Sequence, residues 1–120
     1  MVTIVGGRVP TDELALNATF ERLPGLEVEC ERVVESGTSV MPLVWVRHGD
    51  RKAVETALAD DPTVEAVTLL SEFDGESLYR MEWIGHVRLL LHMLANGSAT
   101  VLDARGRNGD WHLRVLYPDR

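Results

Sequence analysis

A chain of 120 residues has room for one domain with a real core and not for two. Its 19 acidic and 12 basic side chains give a formal net charge of −7, which argues against a direct grip on nucleic acid, because phosphate contacts need clustered Lys or Arg. Cys30 is the only cysteine, which excludes an internal disulfide or a cysteine-rich metal site. Lys52 is the only lysine, and carboxylate in excess with lysine scarce fits a protein adapted to high salt.

Residues 2–5 read as a strand that Gly6-Gly7 loosens and that runs on to Val9. Pro10-Thr11 opens a helix, with Thr11 as cap, Asp12 and Glu13 at the positive end of the dipole, and Leu16, Phe20 and Leu23 as one apolar stripe; Pro24-Gly25 ends it. Residues 26–34 alternate, with Leu26, Val28, Cys30 and Val34 on one face and Glu27, Glu29 and Glu31 on the other. Ser36-Gly37-Thr38 turns the chain into a second strand over residues 40–46, where Pro42 lacks a ladder donor and predicts a bulge or an edge.

Asp50 caps a second helix carrying Val54, Ala57 and Leu58, and Asp60-Asp61-Pro62 stops it. Strands over residues 64–70 and 78–84 flank the tight-turn signal Asp74-Gly75. A third helix is expected over residues 86–95, closed by Asn96-Gly97. Two last strands, residues 99–105 and 111–117, follow with Asn108-Gly109 between them. The predicted order is β-α-ββ-α-ββ-α-ββ: an α+β fold, a mostly antiparallel sheet with helices on one face, ferredoxin-like in its first part.

Catalytic signatures are missing. Glu27, Glu29 and Glu31, about 7 Å apart along one strand face, read as a solvated face and not as a metal site. His48, His86, His92 and His112 have no zinc spacing, and neither a nucleophile elbow nor a Gly-rich phosphate loop occurs. No enzyme activity, metal or cofactor is expected. The aromatic residues Trp45, Tyr79, Trp83 and Trp111 fall in strands, where they either build the core or line a small-molecule pocket. On the third helix Leu89 and Met93 form a second apolar row beside the core stripe, which suggests an interface between two copies. The longest strongly apolar stretch, residues 87–95, is interrupted by Arg88 and His92 and is too short for a membrane span, and no signal peptide is evident, so a cytoplasmic location without membrane contact is expected.

The segments "VPTDELAL", "FERLPGLEVECERVV", "VMPLVWV", "DPTVEAVTLLSEFDGESLYRMEW" and "GDWHLRVLYPDR" resemble the haloarchaeal bacterio-opsin activator family of transcription regulators. The resemblance spans nearly the whole chain and rests on the order and wording of segments, not on a catalytic motif. It implies that residues 1–120 are a single N-terminal regulatory domain, whose helix-turn-helix DNA-binding domain would follow residue 120. It also implies a sensing or dimerising role, with a homodimer, an unknown small-molecule effector and DNA contacted only through the helix-turn-helix module as partners. The alternative is a small enzyme with an aromatic-lined pocket on a ferredoxin-like sheet.

Overall fold

The structure, a computed structural model, describes residues 2–32, 35–36, 39–84 and 100–118. These form β1 (Val2–Pro10), a 3-10 turn (Thr11–Glu13), α1 (Asn17–Arg22), β2 (Glu27–Arg32), β3 (Glu35–Ser36), β4 (Ser39–Val40) and β5 (Leu43–Arg47). They continue with α2 (Arg51–Ala59), β6 (Val64–Phe73), β7 (Glu76–Trp83), β8 (Thr100–Arg107) and β9 (Asp110–Pro118). The helix expected over residues 86–95, with Leu89 and Met93, lies outside the described residues.

All described pairings are antiparallel and make one sheet in the order β1-β9-β8-β2-β5-β7. Strand β6 flanks β7, and the small β3–β4 hairpin joins β7 through Val40 opposite Trp83. The fold is α+β, as the alternating segments predict. The ferredoxin-like arrangement expected of the first part differs from the pairing found. That plan would set the first strand inside the sheet, whereas β1 lies at its edge, matched to β9 from Val2 opposite Pro118 to Pro10 opposite Asp110. The uninterrupted nine-residue register on β9 is what claims β1.

Strand alternation decides the layers. Val44 and Val46 of β5, Tyr79, Met81 and Trp83 of β7, and Trp111, Leu113 and Val115 of β9 are buried on one face. Phe20 of α1 and Val54, Ala57 and Leu58 of α2 are buried against it. Burying each of these larger apolar side chains contributes roughly 1.5–3 kcal/mol, so this face holds the fold. Asp50 caps α2 as its position suggests, its carboxylate accepting from the Ala53 N–H at 3.2 Å.

Two boundaries differ from the sequence reading. Thr11 does not cap a long first helix. Its hydroxyl lies 2.7 Å from Asn17 Oδ1 and 3.1 Å from the Gly109 carbonyl, and its N–H donates to that same carbonyl at 2.9 Å. With Thr11 tied to the β8–β9 turn, the chain makes only the 3-10 turn there and the α-helix begins at Asn17, after Leu16 with a positive φ of 64°. At Met41-Pro42 the expected second strand splits into β4 and β5, and the Pro42 carbonyl accepts from the Met81 N–H at 3.1 Å.

The sheet is strongly curled. Trp111 on β9 and Trp83 on β7 are four strands apart in its order, about 19 Å in a flat sheet at the usual spacing of about 4.8 Å. Their rings nevertheless meet edge-to-face at 5.4 Å between centroids. The covered face therefore closes around its own aromatic side chains, and the opposite face bulges outward.

Candidate functional site

The open face is built from the residues that alternate with the core. Register places Arg8, His112, Arg105 and Glu29 in one row across β1, β9, β8 and β2, with Trp45 of β5 next. Glu27 lies opposite Arg47 on the adjoining β2–β5 row. Between the rows is a cavity of about 320 Å³ lined by Glu27, Val28, Glu29, Arg47, Arg105, Gly106, Arg107 and His112. The side chain of Val28 is buried on the other face, so Val28 and Gly106 give the cavity a backbone floor.

The charges around it are unequally engaged. Arg47 Nη1 donates to Glu29 Oε1 at 2.8 Å, and its Nη2 lies 3.4 Å from Glu76. The Glu29 hydrogen bond, aided by the charge of Glu76, raises the Arg47 guanidinium further above its ordinary range. Arg105 reaches Glu29 only at 3.4 Å and Arg107 reaches Glu27 only at 3.7 Å, both with well over half of the side chain in solvent. His48 Nε2 is 3.9 Å from Glu27. Arg114 pairs with Asp103 at 3.0 Å beyond the cavity.

Among the described residues no group of three His, Cys, Asp or Glu side chains gathers as a metal site. Cys30, the lone thiol, is pushed up to about 12 by burial, with a lesser contribution from Glu29, so it is no ready nucleophile. The site presents charge and hydrogen-bond donors.

Trp83 and Trp111 are buried in the core, where Trp111 Nε1–H donates to the Ala15 carbonyl at 2.8 Å and Trp83 Nε1–H points to Met81 Sδ at 3.3 Å. Tyr79 is buried beside them, its hydroxyl donating to Glu55 at 3.0 Å, and burial with that bond pushes it up to about 12. Trp45 is on the opposite, open face, where it packs on Phe73 at 5.8 Å. The structure thus brings Trp83 and Trp111 together and separates both from Trp45. The arginine–glutamate cluster escaped the sequence reading. Its one signal was the alternation of Arg105 and Arg107 on the solvent side of a strand, mirrored by Glu27 and Glu29 on another.

A curled antiparallel sheet with helices on one side and a charged, cavity-bearing face on the other defines a small α+β module. The family model described as BAT, a GAF and HTH_10 associated domain, matches residues 7–120, and the chain belongs to that family. The likeness to bacterio-opsin activator regulators carried by the sequence segments is thereby shown. The chain is a regulatory domain of the transcription-regulator kind, and its family is not a known enzyme family. No curated protein and no solved structure gives a significant match. No helix among the described residues is long and apolar enough to cross a membrane.

Proposed function

We propose that this domain regulates a haloarchaeal helix-turn-helix transcription regulator by self-association, two copies pairing along β1, while DNA is contacted only through the helix-turn-helix module. The observation that carries this reading is the β1 edge. Nine residues long, it has one described partner, β9, and presents Val2, Ile4 and Val5 at 55%, 51% and 47% exposure. Arg8 is its only charge, its one proline is the terminal Pro10 and its pairing shows no bulge, whereas natural edges are usually blunted along their length by charge, proline or bulges. The other edge, β6, has those protections: register shifts at 64/66 and 69/71, and the charged Glu65 and Glu72.

A second copy of β1 suits this edge because a strand pairing with itself about a two-fold axis satisfies both sets of outward N–H and C=O groups. Helix-turn-helix regulators commonly read two half-sites as dimers, which gives self-association a purpose. The small-enzyme alternative lacks support, since three of its four pocket aromatics are buried in the core. The second apolar row of the sequence also offers Leu89 and Met93 as an interface, and the experiment separates the two. Light scattering should find a dimer that Ile4→Lys converts to a folded monomer. A monomeric parent chain, a dimeric Ile4→Lys variant, or dissociation only in Leu89→Glu, Met93→Glu removes the β1 interface.

A further inference from the structure

We infer that the open-face cavity is a binding site for a small organic anion carrying a carboxylate or phosphate group, gripped by Arg105 and Arg107. The inference stands on the cavity and does not depend on self-association. Arg105 and Arg107 are two residues apart on β8, with guanidinium groups on the same side of the sheet and about 7 Å between their Cα atoms. Each guanidinium carries five N–H donors. Among the described residues, the contacts of Arg105 with Glu29 at 3.4 Å and of Arg107 with Glu27 at 3.7 Å engage one nitrogen apiece and are too long to be strong hydrogen bonds.

Arg47 differs. It is held at 2.8 Å by Glu29 and braced by Glu76, so it supplies a fixed positive wall and not a mobile clamp. Glu27 and Glu29 keep the two forks extended over the cavity, where a ligand oxyanion can take the unused donors in bidentate fashion. Arg8 lies further along the same row, beyond His112, and extends the positive field in a chain whose net charge is −7.

Size and charge narrow the ligand. A cavity of about 320 Å³ is at the small end of ligand pockets and suits a metabolite-sized molecule. A nucleic acid would bring many phosphates past Glu27, Glu29, Asp103 and Asp110 and be repelled, whereas one anionic group set between Arg105 and Arg107 is not.

The test uses inorganic phosphate, succinate and citrate, each titrated at constant ionic strength in KCl. Melting temperature is followed together with backbone amide shifts. At least one probe should raise the melting temperature saturably and shift amides clustered on β2, β8 and β9 around the cavity. Arg105→Gln, Arg107→Gln should abolish both effects, and Arg114→Gln, outside the cavity, should keep them. The inference is overturned if no probe binds, if stabilisation is unsaturable and equal in the double variant, if the shifts cluster elsewhere, or if duplex DNA binds this face with a steep salt slope. Amide shifts are read on the parent chain, so the result holds even if the double variant fails to fold.

Discussion

Asp61 does more than stop a helix. It is 3% exposed, and its Oδ2 accepts from the Thr19 N–H at 3.1 Å and the Thr19 hydroxyl at 2.6 Å. Its Oδ1 accepts from the Thr63 N–H at 2.9 Å and the Thr63 hydroxyl at 2.7 Å, and the Thr63 hydroxyl oxygen accepts from the Leu16 N–H at 3.0 Å. One carboxylate thus ties the start of α1 to the loop after α2. Asp61→Asn replaces an acceptor oxygen by a donor group and should cost about 3 kcal/mol in urea unfolding, because buried donors are left facing another donor. A loss under about 1 kcal/mol would show the network to be dispensable. Sequence spacing does not reveal the tie to α1, since the aspartate's partner Thr19 is 42 positions away. Cys30 makes a second residue-scale test. Its thiol is raised from 9.0 to about 12, so folding favours the protonated form: that contribution is intact below pH 9 and is lost as pH climbs towards 12. At pH 8 alkylation should be on the order of a thousandfold slower in the folded chain than in urea; equal rates would mean that the thiol is open.

At the scale of elements, alternation made most of the strands legible, because a half-buried strand writes its two faces into the order of residues. Thus Val28 proved buried while Glu27 and Glu29 faced the open side, and Asn108-Gly109, with φ of 53° and 84°, closes the last hairpin as its dipeptide predicts. Which strands become neighbours was not legible. The cavity needs Glu27 and Glu29 from β2, Arg47 from β5 and Arg105 and Arg107 from β8, residues that sequence spacing does not connect. Helix onset was misplaced because Thr11 finds its partner across the molecule at Gly109. Packing between elements is tightest at Gly106, where a Cβ would lie 2.6 Å from Phe20 Cζ and 3.2 Å from Trp111 Cδ2. Gly106→Ala should therefore push α1 off the sheet and lower stability by about 1–3 kcal/mol by denaturant titration; an unchanged midpoint would show that Phe20 yields freely.

For the whole molecule, charge sets the conditions of folding. Nineteen carboxylates on a 120-residue chain repel one another, and salt shortens the reach of that repulsion to ~3 Å at 1 M. Melting temperature should rise steeply between roughly 0.1 and 3 M KCl, where screening is strongest; a flat or falling series would remove the high-salt reading. The open-face ion pairs work against this trend, since they weaken on screening, but they are solvent-exposed and contribute little each.

The curl of the sheet has an optical consequence. The chain has 3 tryptophans, and two of them, Trp83 and Trp111, meet at 5.4 Å with planes 62° apart, while Trp45 is on the far side of the sheet. Two indole transition dipoles this close and this inclined should couple and produce a paired positive and negative band in far-ultraviolet circular dichroism. Trp83→Phe or Trp111→Phe should erase the pair of bands, and Trp45→Phe should leave it. Because the two rings come from strands four places apart, the signal reports how tightly β7 and β9 close on each other, so bending of the sheet during binding or pairing becomes visible without any added label.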